Sequence, residues 1–515
     1  MALNINRRLL VSLVIGVLMG AMDLTIVAPA LSHIAGSFHV TPSAVILAFS
    51  IYAAFYAVSV PLMSKLADVR GYKLIYGISM MIFTIGSAGS ALAPTLPVLV
   101  AARIVQGIGG GGLFPIAQAI VGAKLPEKQR ATALGILMGA FAIGGVLGPN
   151  LGGFLVQQLS WHWIFWVNVP LGVFGVVLLY TTDVRDEKHR GEIDWLGAIL
   201  VAVAFGSLVV SIETIRIVGD VGVFTLRTGL WYVVTVLAFA ILVPVERRRK
   251  EPILNFALIS SPAVVPLLLV SLLMGWALLG SVVFTPLYAQ LMFGASAFGS
   301  GAVLNAAAFG LGVSSLIAGA YTNRVGAKKL IIFGMVLTSA GLAGMIVLQH
   351  SIWGILGGLV FLGAGLGLSQ GPLSFLGLSL VPSRSEGQIS GLISITRSMG
   401  GATGMTLAGV LLNRASAGLS GQIHAQVSGG ELSSKIWGSS SSLQALQDAP
   451  VSTQQAVRHA LGAGLLHGWY MALAAAVIGL AISFALKHEI RRLLRNGQAK
   501  AGSVPDEAPA EMGKG

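Results

Sequence analysis

An aspartate and an arginine stand in stretches of this chain that are otherwise apolar. Asp23 lies inside the run that begins at Leu9, and Arg103 inside the run that begins near residue 97. A charge in a dry apolar helix costs several kcal/mol unless it is paired or hydrated, so each residue reads first as functional. Arg103 is also close enough to the start of its run for plain snorkelling to account for it. A carboxylate in such surroundings can take up and release a proton as its exposure changes. An arginine partner that lets go on protonation would couple that event to movement. Arg103 is the simplest partner for Asp23; the competing expectation is a fixed structural ion pair between the same groups.

Two further patterns carry chemistry. Ser64-Lys-Leu-Ala-Asp68-Val-Arg70-Gly71-Tyr-Lys73 closes one apolar run and opens the next. Asp68 at a helix end can meet a base or the N-terminus of a neighbouring helix, and Gly71 permits a tight turn. Gly144-Gly-Val-Leu-Gly148-Pro149-Asn-Leu-Gly152-Gly153 combines glycines that let helices approach closely with a proline that should kink its helix. The Gly109 to Gly112 run lacks a following Gly-Lys-Ser/Thr and reads as close packing, not as a phosphate loop. The histidines are scattered without metal-ligand spacing, there is no cysteine, and no Ser–His–acid arrangement can be argued. The expectation is no enzyme, no cofactor and no metal.

Membrane helices must position these residues. Of 515 residues, 55% are apolar and only 10% charged, against about 25% charged in soluble domains. Crossing a hydrocarbon core of about 30 Å takes roughly 20 apolar residues in a helix. Such windows recur at 9–31, 44–64, 74–93, 97–120, 131–156, 163–181, 195–213, 229–245, 262–284, 297–320, 329–349, 352–378, 387–412 and 467–487. If the N-terminus is cytoplasmic, most of the 32 Lys and Arg fall in cytoplasmic segments, including Arg185 to Arg190, Arg247 to Lys250 and Arg384. The net charge of +13 is therefore topological and argues against a nucleic-acid partner. The first run is too long for a cleaved signal and is expected to be retained. A long outer segment, 413–466, is expected to end in a short amphipathic helix from Gln454 to Leu466, and the tail 496–515 to be disordered.

The chain also repeats itself. Gly107 to Gly111 matches Gly363 to Gly367, Pro126 matches Pro382, and Gly144, Gly145 and Gly148 match Gly400, Gly401 and Gly404. One residue out of that register, Asp68 to Lys73 matches Asn323, Arg324, Gly326 and Lys328. An even number of spans separates the copies, so both stand the same way up. The expected architecture is an all-α polytopic membrane protein with fourteen helices in a six, two, six arrangement. It comprises an N-terminal bundle 1–185, an inserted pair 186–255, a C-terminal bundle 256–495 and the tail. Polar or aromatic side chains at suitable depth for a central cavity are Tyr52, Tyr56, Gln106, Gln118, Asn150, Tyr288, Gln290, Asn305, Gln370 and Arg397. Each competes with an ordinary packing role.

The Asp68 loop resembles the signature between the second and third helices of the major facilitator superfamily, with Ser64 for the usual glycine and Tyr72 for the usual base. Arg103-Ile-Val-Gln106-Gly107-Ile-Gly109 is similar to its fourth-helix motif, and the Pro149 segment to the fifth-helix motif of its antiporters. Met22-Asp23-Leu-Thr25 resembles the first helix of the fourteen-helix drug:proton antiporters of the EmrB/QacA type, although Ala28, Pro29 and Ser32 depart from the usual residues. Trp161 to Pro170, Asp194-Trp195-Leu-Gly197 and Arg397-Ser-Met-Gly400-Gly401 extend the likeness. It implies export of hydrophobic or amphipathic compounds in exchange for protons across a bacterial cytoplasmic membrane, both termini inside. Asp23 and Arg103 would couple the proton. Asp68, Arg70, Gly71 and Lys73, with Asn323, Arg324, Gly326 and Lys328, would form a conformational latch. A periplasmic adaptor and an outer-membrane channel would serve a host with two membranes. Asp23 is the main acid in the membrane region, and Arg103 and Arg397 offset it, so a neutral, zwitterionic or anionic substrate suits the chain as well as a cationic one. A proton- or sodium-coupled nutrient symporter is the competing reading.

Overall fold

Apolar runs of this length must satisfy their own backbone hydrogen bonds in lipid, which a helix does and an isolated strand does not. In the computed structural model every regular element among the described residues is helical. The structure describes residues 7–40, 42–182, most of 196–211, 226–249, 255–283, 285–294, 297–381, 385–423 and 451–486. The first group of helices is α1 (Arg7–Asp23), α2 (Leu31–Ser37), α3 (Pro42–Arg70), α4 (Tyr72–Ala91), α5 (Leu96–Lys124), α6 (Glu127–Gln158), α7 (Trp163–Trp166) and α8 (Asn168–Tyr180). α9 (Leu226–Arg248) and α10 (Phe256–Ile259) follow. The last group is α11 (Val265–Val282), α12 (Thr285–Phe293), α13 (Ala297–Val325), α14 (Ala327–Val347), α15 (Ile352–Ser379), α16 (Glu386–Ile423) and α17 (Val451–Ala485).

Ten helices among the described residues are long and apolar enough to cross a membrane, and the stretch Ile199–Leu208 is a shorter apolar helix. The span expected over 9–31 is interrupted. α1 stops at Asp23, a turn and a 3-10 segment at Ala28–Ala30 follow, and α2 begins at Leu31. Pro29 lacks the N–H a continuous helix would need. The outer segment expected over 413–466 is partly helical, because α16 continues to Ile423 and α17 begins at Val451. Residues 185–190, 194–195, 213, 384 and the tail 496–515 lie outside the described residues.

α1, α3, α4, α5, α6 and α8 pack together, as do α11, α13, α14, α15, α16 and α17. The two groups meet through α3 and α5 against α16, and through α6 against α13 and α15. Their internal geometry repeats. Gly71 opens α4 with φ 105° and ψ 138°, and Gly326 opens α14 with φ 93° and ψ 137°. Gly109 lies against the backbone of Ser79 and Phe83, and Gly365 against that of Gly334 and Thr338. Gly111 lies against Tyr56 and Ser59, and Gly367 against Leu311 and Ser314. Gly144 and Gly148 abut the carbonyls of Leu18 and Met22; Gly400 and Gly404 abut those of Leu272 and Trp276. The same small residues therefore make the same close approaches in both bundles.

Candidate functional site

α1 ends in the bundle interior, which leaves Asp23 at 1% exposure. α5 passes beside it, and its early turns put Arg103 and Gln106 on the facing side, at 1% and 0% exposure. Arg103 Nη1 donates to Asp23 Oδ2 at 2.8 Å and Oδ1 at 3.0 Å. The same nitrogen donates to Gln106 Oε1 at 2.8 Å, while Gln106 Nε2 donates to Asp23 Oδ1 at 2.9 Å. Ser90 Oγ reaches Gln106 Oε1 at 3.5 Å. The Arg103 guanidinium lies 3.8 Å over the Tyr52 ring and 5.5 Å from that of Phe165. Three polar side chains thus close a ring of charge-assisted hydrogen bonds, with an aromatic face on the cation. Breaking one partner of such a buried pair leaves an uncompensated charge at a cost of about 3–5 kcal/mol.

The antiporter-type glycines pack against the helix that carries Asp23. Gly144 meets Ala21 and the Leu18 carbonyl, Gly148 meets Thr25 and the Met22 carbonyl, and Gly152 meets Ile26. Gly145 has nothing within 4 Å, and Gly153 reaches only Pro29 at 4.0 Å. Pro149 lies within α6. Recurrence every four residues makes one helix face flat enough for backbone contact.

At the far end of the bundle Asp68 joins the two groups of helices. Its carboxylate accepts the backbone N–H of Gly387 at 2.9 Å and of Gln388 at 3.0 Å, and the Tyr72 hydroxyl at 2.6 Å. It therefore caps the N-terminus of α16, where exposed N–H groups and the helix dipole favour a negative group. Asn323, its repeat counterpart, donates to the Lys128 carbonyl at the start of α6 at 2.8 Å. Lys73 and Lys328 act within their own bundles: Lys73 donates to the Thr182 carbonyl at 2.6 Å and Lys328 to that of Phe484 at 2.7 Å. Arg70 and Arg324 are exposed. Of the expected latch residues, Asp68 and Asn323 make side-chain hydrogen bonds across the bundles, while Gly71 and Gly326 shape the turns behind them.

The sequence reading missed Glu386, which is 2% exposed at the first position of α16 and lies against Gly122 of α5. Both carboxyls lie beyond the apolar spans 44–64 and 387–412. Burial pushes Asp68 up from 3.8 to about 7, against the opposing hydrogen bonds and Lys65. Burial likewise pushes Glu386 up from 4.5 to about 7, with Arg130 opposing and Asp68 adding to the rise. An acid in the first turn of a helix is the signal that could have found it.

The residues expected to line a cavity divide. Tyr56, Gln118, Asn150, Asn305 and Arg397 lie where the two groups of helices face each other. Gln118 Nε2 donates to Ser374 Oγ at 3.2 Å, Asn150 Nδ2 approaches Asn305 Oδ1 at 3.4 Å, and Arg397 lies 5.0 Å over the Phe114 ring. Tyr52 and Gln106 belong to the Asp23 cluster. Tyr288 packs inside the second group, 4.7 Å from the Trp469 ring, and donates to the Gln349 carbonyl at 3.3 Å. Gln370 is buried on α15, and the Gln290 side chain lies outside the described residues.

The profile of the Major Facilitator Superfamily matches residues 13–405. The chain belongs to this superfamily. It is 30% identical over 420 residues to Multidrug resistance protein 3 of Bacillus subtilis (strain 168), covering 79% of each chain. It is also 30% identical over 414 residues to Multidrug resistance protein Stp of Mycobacterium tuberculosis, covering 79% of this chain and 76% of that one. Among solved structures, a proton:xylose symporter of the superfamily, XylE, superposes with a TM-score of 0.61 at 13% identity, covering 94% of this chain and 96% of that one. That likeness concerns the fold. A superfamily member of this kind is a membrane transporter, not an enzyme.

Proposed function

We propose that this transporter is a secondary active exporter of hydrophobic or amphipathic compounds, driven by proton entry through alternating access. The observation that carries the reading is the ring formed by Asp23, Arg103 and Gln106, buried in the bundle and backed by Gly144, Gly148 and Gly152 on α6. Protonating Asp23 removes the charge that holds Arg103, so the pair can separate without stranding two ions in a dry interior. The flat glycine face lets α6 slide on α1 as that happens. Asp68 on the N-terminus of α16 holds the bundle closed at one end, which we assign to the cytoplasmic side with both termini. Fourteen spans in a six, two, six arrangement, in a cytoplasmic membrane, complete the reading. Relatives named for multidrug resistance support the substrate class.

The test is transport in liposomes containing the full chain, with an imposed pH gradient and a panel of amphipathic compounds. Wild type should accumulate substrate against its gradient as protons run down theirs. Asp23→Asn should retain counterflow exchange and lose the proton-driven component. Uphill accumulation that persists in Asp23→Asn across pH would remove Asp23 from the coupling role.

A further inference from the structure

The repeat relates residues 256 positions apart in α5 and α15, and Gln118 hydrogen-bonds to Ser374, its own counterpart at that separation. Arg397 is likewise the counterpart of Phe141 in α6, and its guanidinium lies 5.9 Å from that ring. Two groups related by a symmetry axis can touch each other only beside the axis. Arg397 therefore sits at the centre of the molecule, between the two groups of helices. Counted from Glu386 at about 1.5 Å per residue, it lies about 16 Å from the Asp68 end, near the middle of a core about 30 Å thick. Superfamily folds of this kind bind substrate at that depth and at that junction.

The surroundings of Arg397 are aromatic. Phe114 lies 5.0 Å and Phe141 5.9 Å from the guanidinium, both from the opposite bundle. Ring faces attract the cation but offer no lone pairs to its five N–H donors. The carboxylates among the described residues are Asp23, Asp68, Glu127, Glu246 and Glu386. Asp23 is committed to Arg103 and Gln106, Asp68 caps α16, Glu127 and Glu386 lie at that same end, and Glu246 belongs to α9. Among the described residues none of them forms an ion pair with Arg397. Ser394 and Ser390 lie one and two turns before Arg397 on its own helix face, and both hydroxyls are buried without a hydrogen-bond partner.

We propose that Arg397 anchors the charge of the substrate, and that the exported compound is an amphipathic organic anion. A carboxylate or sulfonate head would accept from the guanidinium and the serine hydroxyls, and an aromatic or aliphatic body would stack against Phe114 and Phe141. The inference rests on the exporter reading and narrows its substrate class. A cation in the same place would meet Arg397 with no carboxylate among the described residues paired to it.

Two probes of matched shape and opposite charge, 2-naphthalenesulfonate and 2-naphthyltrimethylammonium, decide the question by calorimetric titration of the purified full chain in detergent. Wild type should bind the sulfonate at least about ten-fold more tightly. Arg397→Gln should weaken sulfonate binding about ten- to a hundred-fold, the range for a hydrogen bond to a charged group, and leave the ammonium unchanged or tighter. Arg397→Lys should keep part of the preference. Equal binding of both probes, a preference for the ammonium, or binding of neither overturns the inference. If Arg397→Gln fails to fold, the wild-type comparison and Arg397→Lys still decide. Liposome transport separates the two readings. Proton-driven movement of the ammonium alone overturns the anion inference and leaves the exporter standing. A sulfonate preference in binding, with no proton-driven movement of any compound, overturns the exporter instead.

Discussion

Closure at the Asp68 end should depend on pH, and Asp68→Asn should remove most of that dependence. In the closed arrangement the carboxylate is buried, and its carboxyl is pushed up from 3.8 to about 7 although Tyr72, Gly387 and Gln388 donate to it. When the bundles separate here, the group returns to water and to its ordinary value. Closure therefore takes up a proton between those two values. The closed form is fully favoured below the ordinary pKa, and that advantage is lost as pH rises through about 7. The span between the values corresponds to about 4 kcal/mol at about 1.4 kcal/mol per unit. The closed-to-open ratio should thus fall by up to about ten-fold per pH unit on the acid side of that midpoint and level off above it. Glu386 moves in the same direction, from 4.5 to about 7, under the opposing charges of Arg130 and Lys124, so Asp68→Asn should keep a residual slope that adding Glu386→Gln removes. The chain has no cysteine, so a pair introduced at the exposed positions 127 and 324, on opposite bundles, can be spin-labelled without background. Pulsed EPR distance distributions from pH 5 to 8 give the ratio directly. An unchanged slope in Asp68→Asn, or a wild-type slope of opposite sign, would refute the reasoning.

Gly148→Val should lower the thermal midpoint and the transport rate, because the new side chain meets Thr25 and the Met22 carbonyl; overpacking of this kind costs about 1–3 kcal/mol. Gly145→Ala, which points into open space on the same helix, should be close to neutral in the same melt. Gly71→Ala should destabilise by about 1–3 kcal/mol in thermal denaturation, since φ 105° suits glycine and strains any other residue. Arg103→Lys should keep the charge but lose the Nη1 that serves Asp23 and Gln106 together and the flat face that lies on the Tyr52 ring. The efflux rate should fall at least about ten-fold and its pH profile should shift, while far-UV helicity stays the same.

Much of this was legible in residue types and spacing. The internal repeat predicted two similarly oriented bundles, and paired glycine approaches and the matched turns at Gly71 and Gly326 appear in both. The Asp23–Arg103 pair could be named from the cost of two lone charges in apolar runs. What escaped notice depends on which helix faces which. Gln106 completes the ring only because its turn of α5 faces α1, and Glu386 matters only because α16 begins against Asp68 and Gly122. Tyr288 looked like a cavity residue from hydropathy alone, yet its ring packs on Trp469 inside one bundle. The break after Asp23 was hidden because the apolar run continues through Pro29, and hydropathy does not register a missing N–H.

The two bundles share a backbone plan but not its chemistry. The places that correspond to Asp23, Arg103 and Gln106 in the second copy hold Ala277, Leu359 and Leu362. If Asp23 couples transport as proposed, the gradient that this cluster can sustain has a thermodynamic ceiling. One proton per turnover through that cluster can sustain at most about a ten-fold substrate gradient for each unit of pH difference. Each 100 mV of membrane potential adds about 2.3 kcal/mol per charge moved. Under that proposal the one-sided placement of charge in a two-fold scaffold would set how steep a gradient the cluster can build, whatever the affinity of the site it serves.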